Sequence, residues 1–190
     1  MKELFLFLSS TKTHVAKTVS VFTGSKTTHS AICLNGKFDR MYSFGRKTLK
    51  LFPAGFVYEN IRENMFKIHG GCLCEVYRIR ISNEAYENLL KEIAKYEEEK
   101  EKYRYAILGA FLCALRIKNS FEYKRFCSQF VANLLHDGAG LELPYHTSKM
   151  RPKDYLKLPN LERVYAGTIK DLANGIDNGK INFLNEEKDV

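Results

Sequence analysis

Cys127-Ser-Gln-Phe-Val-Ala-Asn-Leu-Leu135 decides how this chain is read. Phe126, Phe130, Val131, Leu134 and Leu135 recur at helical spacing, which predicts an amphipathic helix ended by Gly138-Ala-Gly140. Cys127 falls in its first turn, where the positive end of the helix dipole favours a thiolate. Its own backbone amide would lie near the sulfur, ready to help hold an oxyanion when the thiolate attacks a carbonyl. A buried core thiol is the ordinary alternative. Cys33 and Cys113, embedded in continuous apolar runs, are read that way.

His29 opens a second decisive stretch, His29-Ser-Ala-Ile-Cys-Leu34, which has strand character and follows the polar loop Thr23-Gly-Ser-Lys-Thr-Thr28. Brought beside Cys127, its imidazole would carry the proton that a thiol nucleophile must lose and return. The histidine precedes the cysteine, the reverse of the order in papain-like proteases. A hairpin should follow, turning at Asn35-Gly36 and returning across Met41 to Phe44. A three-residue loop would set Ser43 opposite His29, and a two-residue turn would set Tyr42 there. Either could orient the ring, though neither brings the negative charge of a carboxylate.

Outward from these stretches, residues 3 to 8 read as a strand and His14 to Phe22 as a short helix. Gly55 to Tyr58 and Cys74 to Ile81 read as further strands, the latter alternating between apolar and polar residues. A long helix is predicted from Glu84 to Lys102, capped by Ser82-Asn83. Tyr103 to Ile117 forms a second apolar segment, and the last 50 or so residues, with Pro144, Pro152 and Pro159, read as loops with short strands or turns.

With 190 residues, 45% hydrophobic, 13 Phe and 11 Tyr, the chain can bury one substantial core, so a single domain over 1–190 is expected. Residues 150–190 are its less certain part, a C-terminal extension. No stretch approaches the roughly 18 unbroken apolar residues of a membrane span. Lys2 and Glu3 before a short apolar run suit a first buried strand better than a signal core. Five cysteines, an odd number, fit reduced thiols in a cytoplasmic protein. The net charge of +8 favours anionic partners, yet the lysines are dispersed among glutamates, so charge alone does not argue for nucleic acid. His69, Cys72 and Cys74 lack zinc-site spacing, and neither a metal nor a cofactor is expected.

Thr28-His29-Ser-Ala-Ile-Cys-Leu34, Met41-Tyr-Ser-Phe-Gly-Arg-Lys47 and Phe126-Cys127-Ser-Gln-Phe-Val131 together resemble the permuted papain-like cysteine hydrolases of the NlpC superfamily, in its YiiX-like branch. That branch is in turn similar to lecithin:retinol acyltransferase-type enzymes. The resemblance covers roughly residues 1 to 150. It implies an α+β fold, with an antiparallel sheet or small barrel packed against helices, and places the histidine strand ahead of the nucleophile helix. It also implies Cys127 as nucleophile, His29 as general base and acid, and Ser43 where the family commonly has a polar third member, often Glu. Tyr123, one helical turn before the cysteine, and Tyr42 are candidates for the oxyanion or substrate side. The activity implied is that of an amidase or peptidase, on peptidoglycan-type peptides or related amides. A lipid-directed thiol acyltransferase or esterase is the alternative, and a non-catalytic binding protein that keeps the fold is a third.

Overall fold

The computed structural model describes residues 1–10, 27–48 and 53–183. Its centre is β1 (Lys2–Ser9), and the reason is legible in Leu4-Phe-Leu-Phe-Leu8: a strand apolar on both faces must be covered on both. Leu4, Leu6 and Leu8 enter one core and Phe5 and Phe7 the other. Around β1 a six-stranded antiparallel sheet forms from β2 (His29–Cys33), β3 (Met41–Arg46), β4 (Ala54–Glu59), β5 (Leu73–Ile81) and β8 (Glu162–Thr168). The strand order is β4-β3-β2-β1-β5-β8. β4 and β8 are its two edges, so the α+β class expected from the sequence takes the form of an open sheet rather than a closed barrel.

One face carries α2 (Asn83–Glu98) and α4 (Cys127–Asn133), the latter continued by a π-helical turn over Leu134–Gly138. Leu89, Ile93 and Tyr96 of α2 and Phe130, Val131 and Leu134 meet Leu4, Leu6, Ile32, Phe44 and Ile79 there. Ser82 caps α2 by accepting a hydrogen bond from the Ala85 amide at 3.0 Å, and the helix stops at Glu98, short of the Lys102 expected. The other face carries α1 (Asn64–Ile68) and α5 (Ile169–Asp177), which bury Phe66, Ile169 and Leu172 against Phe5, Phe7 and Val76.

The Tyr103 to Ile117 segment divides into β6 (Arg104–Tyr105) and α3 (Ile107–Ala114). β6 lies parallel to β7 (Lys124–Arg125), with Tyr105 beside Arg125, immediately before the Cys127 helix. β4 passes so close to the residue before β6 that a Cβ on Gly55 would lie 2.5 Å from the Tyr103 carbonyl oxygen. Gly55→Ala should therefore cost about 1–3 kcal/mol through forced backbone displacement, measurable as a lowered urea midpoint.

Three expectations are corrected. The connection between β2 and β3 is longer than a tight hairpin turn, because Phe38 (φ 56°) swings into the core against Phe5, Phe7 and Phe183. Cys33 consequently pairs with Met41, two residues beyond the register of a three-residue loop and three beyond that of a two-residue turn, so neither Ser43 nor Tyr42 faces His29 across the ladder. The C-terminal region, expected as loops with short strands or turns, holds a full strand and a helix: β8 extends the sheet beside β5, with Val76 opposite Tyr165, and α5 closes the second core. Its sequence hid this because Glu162 to Thr168 is a partly exposed edge strand with few fully apolar positions. The helix expected over His14 to Phe22 lies outside the described residues.

Candidate active site

α4 is positioned by its own apolar side. Phe130, fully buried one turn after Cys127, enters an aromatic box with ring centroids 5.1 Å from Phe44, 4.9 Å from Tyr96 and 5.6 Å from Phe56. Such edge-to-face and tilted contacts add directional preference to area burial. With Phe130 held, the first turn of α4 projects over the start of β2. Cys127 Sγ then lies 4.0 Å from the Thr28 carbonyl oxygen, with the Ser30 amide and the His29 imidazole close enough to act on its charge. Phe126, the residue capping α4, offers no side-chain oxygen to the first-turn amides.

His29 is engaged from its other side by a residue that sequence reasoning missed. Nε2 stands 2.8 Å from Glu59 Oε2, with the two side chains only 12% and 17% exposed. Nδ1 is thereby the ring nitrogen left to the sulfur. Glu59 ends β4, two positions past Val57 on the same face, and its carboxylate reaches back along the sheet toward Gly45. Phe66 packs beside the imidazole, with ring centroids 6.0 Å apart.

Burial opposes a charge on His29, but the Glu59 carboxylate and hydrogen bonds to Cys127 and Glu59 outweigh it and hold the imidazole well above its ordinary range. For Cys127 burial would raise the pKa, and the hydrogen bond and positive charge of His29 reverse the sign, so the thiol lies below its ordinary value. The contrast with other buried thiols is informative. Burial raises Cys33 and pushes Cys74 and Cys113 up to about 12. Lacking an adjacent imidazolium, they behave as core cysteines, as expected for Cys33 and Cys113.

A second unpredicted residue adjoins the sulfur: Tyr105, partly buried near Cys127. Burial first, then the neighbouring sulfur, raises its pKa well above the ordinary tyrosine value, so the phenol keeps its proton and remains a donor. Below the site, the hydroxyl of the buried Tyr155 donates to the Ser128 carbonyl and ties the first turn of α4 to the Pro152–Lys157 turn.

The remaining candidates lie elsewhere. Ser43 is fully buried and donates to the Ser30 carbonyl at 2.9 Å, supporting β2 rather than the imidazole. Tyr42 turns toward Tyr58 and Arg40 at the far end of β3. Tyr123 is not on a helix; it adopts a left-handed backbone conformation (φ 50°) before β7, and its ring packs on Tyr103 and Lys102. Cys72 and Cys74 are buried in the second core, and among the described residues no three His, Cys, Asp or Glu side chains converge as a metal site.

The arrangement places a thiol of lowered pKa, an imidazole of raised pKa and a carboxylate side by side, with a phenol of raised pKa near the sulfur. Compared with known proteins, the chain matches no family model and no curated protein significantly.

Proposed function

We propose that the protein is a cysteine hydrolase of the permuted papain-like type, with Cys127 as nucleophile, His29 as proton carrier and Glu59 as the residue that orients and charges His29. The observation that carries this reading is the His29–Glu59 pair at 2.8 Å beside Cys127, whose pKa the imidazole lowers against the effect of burial. A structural histidine needs one partner; one shared between a carboxylate and a depressed thiol meets the requirements of nucleophilic catalysis. Glu59 supplies the negative charge that Ser43 and Tyr42 would lack, which supports a catalytic over a non-catalytic reading.

The chemistry follows from charge. Cys127 thiolate attacks an amide or ester carbonyl, forming a C–S bond while the carbonyl π pair moves onto oxygen. The Ser30 amide, the Tyr105 hydroxyl and the backbone amides at the start of α4 are the candidate donors for that oxyanion. Collapse breaks the bond to the amine or alcohol, which leaves with the proton of the His29 imidazolium. Neutral His29 then takes a proton from water as it attacks the thioester, and the thiolate departs.

Iodoacetamide labelling at pH 6, with the modified peptide identified by mass spectrometry, tests the reading. Cys127 should react well ahead of Cys33, Cys72, Cys74 and Cys113, and His29→Ala should slow it roughly ten- to a hundredfold by returning the thiol toward its ordinary pKa. Equal rates in the two proteins would refute a thiolate–imidazolium pair.

A further inference from the structure

β3 contains one glycine, Gly45, where no turn calls for it. It lies in the ladder between the pairs Phe44–Phe56 and Arg46–Ala54, and its φ is not in the left-handed region. Any residue could adopt this backbone. Glycine inside a strand costs conformational entropy and packs nothing, and it often marks a place where another group comes close.

The sheet register identifies that group. Ile32 pairs with Tyr42 and Cys33 with Met41, and continuing the same register sets Gly45 opposite His29. On its other side Gly45 pairs with Gly55, while Ser43 stands opposite Val57 and Met41 opposite Glu59. His29 on β2 and Glu59 on β4 therefore have β3 between them, and strands two apart are separated by roughly 10 Å. Their side chains nevertheless meet at 2.8 Å, so they meet over β3. A Cβ on Gly45 would lie 3.2 Å from Glu59 Oε1 and 3.6 Å from Val57 Cγ2. Ser43, next along the same face, turns its hydroxyl to the Ser30 carbonyl and stays clear of the pair. Gly55 differs from its cross-strand partner, since the atom nearest a Cβ there is the Tyr103 backbone oxygen. One glycine admits a chain segment; the other admits a carboxylate.

We propose that Gly45 is a positioning residue whose missing side chain opens a notch in β3 through which Glu59 reaches His29. The inference rests on the Cys127, His29 and Glu59 reading above. A contact of 3.2 Å is tighter than the roughly 3.5–4.0 Å of an optimal nonbonded approach, and the atom that must yield is the tip of a flexible side chain. Substitution should therefore spare the fold while moving the carboxylate off the imidazole. The titratable groups acting on His29 are Glu59 from β4 and Cys127 from α4, with Tyr105 of β6 near both, whereas α1 contributes the apolar Phe66. With Glu59 displaced, burial is less opposed and the imidazolium gives up its proton at lower pH.

Titration of the His29 ring signal by NMR, assigned by its loss in His29→Ala, tests the notch in the full chain. Gly45→Val should weaken proton binding by His29 about tenfold and Gly45→Ala about threefold, with urea midpoints close to that of the unsubstituted protein. Glu59→Gln should weaken it further. Gly45→Val/Glu59→Gln should match Glu59→Gln alone, because Gly45 acts only through the carboxylate. Ser43→Ala, on the same face, should leave the titration in place. The proposal fails if Glu59→Gln displaces the midpoint while Gly45→Ala and Gly45→Val do not, or if the Gly45 and Glu59 effects add in full. Should Gly45→Val not fold, Gly45→Ala alone decides the comparison. An undisplaced midpoint in Glu59→Gln overturns the His29–Glu59 pair itself and the notch with it.

Discussion

Glu59→Gln should slow acylation of Cys127 by an activated ester such as p-nitrophenyl acetate by about a hundredfold or more, whereas Ser43→Ala should leave it within about threefold. Glutamine retains the shape and the hydrogen-bonding capacity toward His29 Nε2 but not the charge. That charge is decisive, because burial is the largest single influence on His29 and acts against its protonation. Without the carboxylate, the imidazolium loses the interaction that offsets its desolvation, and its pKa falls. The sign in a pH profile follows. Reactivity of the thiolate–imidazolium pair rises as Cys127 loses its proton and declines as His29 loses its own, so the alkaline limb belongs to His29. Glu59→Gln must move that limb to lower pH, narrowing the active window from the alkaline side. Thiolate absorbance, taken as the ultraviolet difference from Cys127→Ala, reads the population directly. Because Ser43 donates to the Ser30 carbonyl, Ser43→Ala should cost stability and leave the profile in place. The reverse ranking of the two substitutions would return the orienting role to Ser43.

The same comparison shows which parts of the site were legible in the sequence. Cys127 and His29 could be read because each opens an element with a strong local pattern, a 3.6-residue apolar period in one case and a buried strand in the other. Glu59 could not be reached that way. Its place opposite Met41 depends on the β3–β4 register, and the reach of its side chain toward His29 depends on sheet geometry. One signal was available: Gly55, Val57 and Glu59 alternate on one face, so extending the strand by one residue beyond Tyr58 puts a carboxylate at its end. Ser43 was misplaced by the length of a loop, since the burial of Phe38 between two apparent turn residues shifts the whole β2–β3 pairing. Tyr105 was hidden because a two-residue parallel pairing with β7 has no recognisable local pattern. The central strand posed no such difficulty, since five consecutive apolar residues in β1 require two covered faces wherever the rest of the chain goes.

Asp154→Ala should be the most destabilising single change outside the two cores, at about 3–5 kcal/mol in a urea titration. The Asp154 side chain is 2% exposed, and its carboxylate receives a bidentate pair of hydrogen bonds from Arg116 at 2.7 Å each, together with the Arg151 amide at 2.8 Å. Arg116 also donates to the Lys149 carbonyl at 2.6 Å and stacks over the Tyr145 ring at 4.0 Å, while Arg151 reaches the Ala114 carbonyl at the end of α3. Removing the carboxylate strands a half-buried guanidinium and an amide donor at once, which costs more than the net worth of the intact pair. The Arg40–Glu97 pair is a control with a single contact at 2.8 Å and much more exposed side chains, and Glu97→Ala should change stability by about 1 kcal/mol or less. Asp154 also has a consequence at the site. Tyr155, its neighbour, holds the Ser128 carbonyl, so loosening the Pro152–Lys157 turn releases the first turn of α4 and with it the placement of Cys127. Asp154→Ala should therefore reduce Cys127 labelling at pH 6 under conditions where the protein remains folded, and Tyr155→Phe should reproduce part of that loss with a smaller cost in stability. Retention of full Cys127 reactivity in both variants would confine this network to stability and leave the alignment of the nucleophile to the Phe130 aromatic box alone.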